Sequence, residues 1–131
     1  MSEFEEVLRK EFARAARYRE SFALLLLDLS PTGEALGSTR DGVRLCDSVI
    51  AAGAARVAVV LPQTSLEGAL QVAARLVSIL APREGSEAVP ALAIGVGIYP
   101  SAQAGDAAAF LRGAESALLQ ARSRGGGIAS R

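Results

Sequence analysis

The sequence predicts an α+β sandwich, and three observations carry that prediction. Segments with helical spacing of apolar residues alternate with short apolar runs of strand length. Two of those runs, Ser48–Ala52 and Arg56–Leu61, are separated only by Gly53-Ala54-Ala55, which marks a hairpin. The run from Phe22 to Leu29, apolar but for Asp28, suits a central strand covered on both faces. Helices interleaved with strands, one hairpin among them, pack as helices against a sheet.

Each element has its own local reason. Residues 3–19 predict a helix with Phe4, Val7, Leu8, Phe12, Ala15 and Ala16 on one side, while Glu5–Arg9 and Glu6–Lys10 support the other at i,i+4 spacing. Pro31, Gly33 and Gly37 break the chain after the first strand, and a short helix is expected over residues 39–46. Thr64-Ser-Leu-Glu67 reads as a capping box opening a helix to about Leu80. Its inward residues would be Leu66, Ala69, Leu70, Ala73, Leu76, Val77 and Leu80. Pro82 and Pro90 bracket a polar loop, and Ala91–Tyr99 is a strand whose Gly95 and Gly97 predict close backbone approach. Asp106 caps a last helix, with Phe110, Leu111, Ala114, Ala117, Leu118 and Ala121 facing in. Gly125-Gly-Gly127 stops it, and Ile128-Ala-Ser forms a final short strand.

Composition narrows the function classes. The 131 residues read as one domain, 1–131, and 50% hydrophobic with 21% charged residues fits a folded globular chain. Fourteen basic and fourteen acidic side chains balance, so no global field draws in nucleic acid or an anionic membrane. With Cys46 alone and no His, the chain offers neither a disulfide nor the ligands of a structural zinc, and His-based catalysis is excluded. No segment approaches the ~18 consecutive apolar residues of a membrane helix. The N-terminus is acidic and amphipathic rather than a basic region followed by an apolar run, so a cytoplasmic setting is the expectation.

The order of motifs resembles the GGDEF family, the bacterial diguanylate cyclases, over nearly the whole chain. Ala13-Arg-Ala-Ala-Arg17 is similar to the family's RAxR entry helix, and Leu24-Leu-Leu-Leu-Asp28 to its metal-binding first strand. Leu61-Pro-Gln-Thr64 with Ala73-Ala-Arg75-Leu resembles "LPxT … AERLR". Ala93-Ile-Gly-Val-Gly97 stands at "VSIG", and Ala114 to Arg122 at "ADxALYxAK". The resemblance implies a nucleotidyl-cyclase (ferredoxin-like) sandwich with a mainly antiparallel central sheet and flanking helices.

The departures fall on the chemistry. Gly53-Ala54-Ala55-Arg56-Val57 stands where Gly-Gly-Asp-Glu-Phe belongs, and a cyclase needs carboxylates there to hold two Mg²⁺ against triphosphates. Asp28 is followed by Leu-Ser-Pro-Thr-Gly-Glu34, without the family's second Asp or its base-reading Asn and Asp. Asp28 reaches Gly53 in 25 residues, a shortened connection. The phosphate-binding Lys is Arg122, which with Arg124 also reads as a helix-end charge before a glycine stop. The expectation is no catalytic residue, no metal and no cofactor, with Asp28 acting as a strand-end cap of the following turn.

One constellation of the resemblance is complete. The family's inhibitory site, Arg-x-x-Asp five residues before the signature, falls on Arg44-Leu-Cys-Asp47, and its third member falls on Arg75. In the family this site binds cyclic di-GMP. Guanidinium groups suit guanine O6 and N7, and a carboxylate suits N1–H and N2–H. Arg75 lies on the polar face of its helix, and Cys46 reads as a small buried or half-buried residue. The leading expectation is a catalytically inactive receptor for cyclic di-GMP that signals to a protein partner, with ligand-driven homodimerisation as a corollary. Residual GTP binding without turnover is a further reading. The other is a ligand-independent interaction scaffold, with Phe4, Val7 and Phe12 as an apolar patch and Arg44–Asp47 as a surface ion pair.

Overall fold

A computed structural model describes residues 2–80, 92–101 and 104–130. Its elements run α1 (Glu3–Tyr18), β1 (Phe22–Leu27), α2 (Gly33–Asp41), β2 (Ser48–Ala51), β3 (Val57–Pro62), α3 (Leu66–Ile79), β4 (Ala93–Tyr99), α4 (Ala107–Ser123) and β5 (Gly127–Ser130). The strands form one sheet in the order β2-β3-β1-β4-β5. All neighbours are antiparallel except β4 and β5, which run parallel as a crossover through α4 requires.

β1 is buried along its whole length, and its pleat divides the interior in two. Phe22, Leu24 and Leu26 enter a core with Phe4, Leu8 and Ala15 of α1 and Phe110, Ala114, Ala117, Leu118 and Ala121 of α4. Ala23, Leu25 and Leu27 enter a second core with Ala69, Ala73 and Leu76 of α3. In the first core Phe12, Phe22, Tyr99 and Phe110 form an aromatic cluster, with centroids 4.9 Å apart for Phe12–Tyr99 and for Phe22–Phe110. The supposed apolar patch on α1 is therefore interior. Phe4 is buried, and Val7 and Phe12 pack partly buried against the same core.

Local chemistry moves several boundaries. α2 occupies 33–41 rather than 39–46, because the Thr32 hydroxyl accepts from Ala35 N–H at 3.0 Å and caps a helix that starts at Gly33. The buried Thr39 closes the same helix on itself by donating to the Ala35 carbonyl at 2.7 Å. Ser65, not Thr64, caps α3 by accepting from Gly68 N–H at 3.2 Å, so the expected capping box does not form. That one-residue shift leaves Leu66 and Leu70 exposed, contrary to the inward stripe, and Ala16 of α1 is exposed as well. The Pro82–Pro90 loop and Ala91 lie outside the described residues.

Gly95 does permit close approach. A Cβ there would sit 2.4 Å from Leu118 N and 2.6 Å from the Ala114 carbonyl oxygen, both backbone atoms of α4. Gly113 lies in α4 with nothing within 4 Å of a Cβ. On the same face of the sheet, Arg14 donates to Glu11 and Glu20 and so ties α1 to the start of β1. Hydrogen bonds from Arg14 and then Gln63 hold the Glu20 carboxyl below its ordinary range.

Two stability predictions follow from these contacts. Gly95→Ala is expected to cost about 1–3 kcal/mol by forcing β4 from α4, whereas Gly113→Ala stabilises by ~0.4–1 kcal/mol; urea unfolding of both variants checks the contrast. Because the folded-state pKa of Glu20 is depressed, its contribution is present above the unfolded carboxylate value and is lost as pH falls through the folded value. Glu20→Gln is therefore expected to lower stability at pH 7 and to narrow its gap to wild type in strong acid, read from denaturation midpoints along a pH series.

Candidate functional site

The β2–β3 hairpin carries a different candidate region at each end. At its tip Ala52 N–H donates to the Arg56 carbonyl at 2.9 Å, and Gly53 takes φ +122°, a conformation open to glycine. Ala54 and Ala55 are exposed, Arg56 reaches Glu115 of α4 at 3.2 Å, and Val57 is buried as the first residue of β3. Beside the tip, Asp28 pairs with Arg122 Nε at 3.2 Å. Its carboxylate thus bonds to α4 rather than capping the turn after β1, which is a correction to the expected role. A depression of ≈ 380 Å³ is lined by Asp28, residues 52–56 and Arg122. Among the described residues no group of three or more His, Cys, Asp or Glu could hold a metal ion. Mg²⁺ demands octahedral oxygen coordination, and one carboxylate already neutralised by a guanidinium does not fit a pair of such ions.

The other end is richer. Arg44 and Asp47 lie in the loop that leads from α2 into β2, not on a helix. The Asp47 carboxylate accepts from Arg44 N–H at 2.8 Å, from Arg44 Nε at 3.3 Å and from Arg44 Nη2 at 3.0 Å. Together with Asp47 N–H donating to the Arg44 carbonyl at 3.1 Å, these bonds close a tight turn. Arg44 Nη2 also donates to the Pro62 carbonyl and the Thr64 hydroxyl, each at 2.9 Å. None of these bonds uses Nη1.

Burial separates the two partners. The Asp47 side chain is fully covered and that of Arg44 is 54% exposed. Asp47 therefore uses its covered carboxylate to brace Arg44. It also holds the Arg44 guanidinium even more firmly charged than usual. Cys46 is exposed, with Sγ 3.7 Å from Asp47 Oδ1, rather than buried or half-buried.

Arg75 joins the same place from α3. Its Nη1 donates to the Gly42 carbonyl at 3.0 Å, at the C-terminus of α2, where positive charge is favoured. Arg44, Asp47 and Arg75 all line one groove of ≈ 310 Å³, completed by Val43, Gln63, Thr64, Ser65, Gly68 and Val72. Two guanidinium groups against one carboxylate leave the groove net positive, so it suits an anion. Sequence reasoning missed Gln63 and Thr64 as part of the site. Leu61-Pro-Gln-Thr64 was visible as a motif, but its contact with Arg44 joins residues 18 and 20 positions apart.

No protein-family model and no curated protein matches this sequence. Solved structures do. The GGDEF domain of YfiN (TpbB) from Pseudomonas aeruginosa has TM-score 0.80 and 27% identity, covering 97% of this chain and 92% of that one.

The fold is that of a GGDEF domain.

The active GGEEF domain of a diguanylate cyclase from Vibrio cholerae gives TM-score 0.81 at 21% identity, over 95% of this chain and 92% of that one. The GGDEF domain of DgcB from Caulobacter crescentus, solved in complex with c-di-GMP, gives 0.72 at 12% identity over 97% and 87%. In this GGDEF fold the five-stranded mixed sheet and its helices match the expected sandwich. No helix among the described residues is long and apolar enough to cross a membrane.

Proposed function

We propose that this GGDEF-like domain performs no cyclase chemistry and instead receives cyclic di-GMP in the groove of Arg44, Asp47 and Arg75, passing the signal to a protein partner. The supporting observation is the convergence of the three residues on one net-positive groove. Cyclic di-GMP is a dianion with two guanines, so it offers phosphodiester oxygens and O6/N7 edges to guanidinium donors. Arg44 is fixed by Asp47 along its Nε–Nη2 side and keeps Nη1 for the ligand. Arg75 keeps donors beyond the one spent on Gly42. Asp47 acts through Arg44.

The absence of turnover rests on the other end of the hairpin. Ala54 and Ala55 offer no oxygen ligand from their side chains, and Arg56 and Arg122 are cations paired with Glu115 and Asp28. A nucleotide there would meet no carboxylate set able to hold Mg²⁺. A second reading, a protein-interaction scaffold, is favoured by exposed apolar side chains: Leu45, fully exposed on the Arg44–Asp47 turn, and Leu66 and Leu70 on α3. A ligand-bridged homodimer is compatible with the receptor reading.

Isothermal titration of cyclic di-GMP at physiological salt is expected to give micromolar or tighter binding. Arg44→Ala should weaken it about tenfold to a hundredfold, the range for a hydrogen bond from a charged group. Equal affinity in the variant would remove Arg44 from the site, and no binding by wild type would leave the scaffold reading. Incubation with GTP and Mg²⁺ should yield no cyclic dinucleotide by chromatography; clear turnover would overturn the proposed silence.

A further inference from the structure

The corner Pro62-Gln63-Thr64 at the end of β3 does more than turn the chain. Gln63 adopts φ +50°, and the flanking Pro62 carbonyl and Thr64 hydroxyl both accept from Arg44 Nη2 at 2.9 Å. The Thr64 hydroxyl, on a buried side chain, in turn donates to the Pro62 carbonyl at 2.9 Å, which links the two acceptors. The corner is fastened from behind. Gln63 Nε2 donates to Glu20 Oε1 at 3.2 Å, Thr64 N–H donates to the Ser21 carbonyl at 3.3 Å, and Glu20 is held by Arg14 of α1.

We infer that Thr64 is a positioning residue of the groove, fixing the distal end of Arg44 so that Nη1 is presented to an anionic ligand. Asp47 engages the Nε–Nη2 edge of the guanidinium from within its own turn. With only that side held, an arginine on a surface turn keeps rotational freedom, and a ligand must pay the entropy of fixing it. The corner adds a second anchor on Nη2, reached from a different strand. Gln63 and Glu20 supply the backing, so the corner is braced from the α1–β1 junction. As a statement about ligand affinity this rests on the receptor reading above; as a statement about Arg44 it stands by itself.

The test uses Thr64→Val, which removes the hydroxyl at constant shape, and Thr64→Ser, which restores it. Two readouts are taken on each. The first is nitrogen NMR of the Arg44 guanidinium, assigned by its disappearance in Arg44→Lys. Hindered rotation about Nε–Cζ, seen as separate Nη1 and Nη2 signals, is expected in wild type and Thr64→Ser and is lost in Thr64→Val. The second is titration with cyclic di-GMP, where Thr64→Val is expected to bind about fivefold more weakly and Thr64→Ser like wild type. Unchanged guanidinium rotation in Thr64→Val overturns the inference, and so does tighter nucleotide binding, which would make the corner a competitor of the ligand. If wild type binds no nucleotide while Thr64→Val still frees the guanidinium, the receptor reading falls and the positioning of Arg44 stands.

Discussion

Everything in this chain is arranged around one strand that has no exposed residue. β1 is sandwiched between β3 and β4, and its alternating side chains feed two separate cores. Burying one Leu or Phe contributes roughly 1.5–3 kcal/mol, so the six residues of β1 tie the two layers of helices to a common plane. Register then passes outward: Phe22 sits opposite Pro62 and Leu27 opposite Val57. The first pairing sets the corner against which Arg44 rests, and the second sets the base of the hairpin tip. The two candidate regions are thus held by opposite ends of the same strand.

That separation has a chemical consequence. β2 spans only four residues, Ser48–Ala51, with Asp47 before it and the Gly53 turn beyond it. At ~3.3 Å per residue the two ends of the hairpin lie about 15–20 Å apart, farther than the Debye length at physiological salt. Charges exchanged at the tip exert little influence on the groove. The tip has Arg56 and Arg122 balanced by Glu115 and Asp28, while the groove keeps a surplus of positive charge. The charges at one end leave the electrostatics that favour an anion at the other undisturbed.

What was legible in the sequence follows from range. β1, the hairpin, the Asp106 cap and the glycines of β4 were readable because each depends on residues within a few positions, or on a pattern that leaves one packing solution. α2 was displaced because Gly33 and Gly37 read as breakers, whereas Thr32 supplies the cap that overrides them. Two adjacent hydroxyl residues, Thr64 and Ser65, both suit an N-cap, and the choice between them is made by Arg44, which engages Thr64 from 20 residues away. The family spacing groups Arg44, Asp47 and Arg75, which line one groove, yet that the guanidinium is exposed and the carboxylate covered is visible only in three dimensions. Cys46 was misjudged for the same reason: a turn held by its first and last residues turns its middle ones outward.

The bonds that orient Arg44 also join the loop before β2 to the end of β3, and the bond from Arg75 joins α2 to α3. Both arginines therefore have structural partners in the unliganded chain. Residue identity at these positions is thus weak grounds for a ligand, since the loop connections alone give the chain a use for guanidinium groups there. The stronger ground is what the connections leave over. A purely structural arginine of this length can satisfy its donors against carbonyls and a carboxylate, but Arg44 is clamped on one side and at one amino group, with the other amino group outside these bonds and the side chain half in solvent. Clamping of that kind reduces the entropy that an incoming anion must overcome. The hairpin tip has no comparable feature, because Ala54 and Ala55 project into solvent and position nothing. The asymmetry between the two ends is the physical ground on which the groove, rather than the turn, is proposed as the binding site of this GGDEF-like fold.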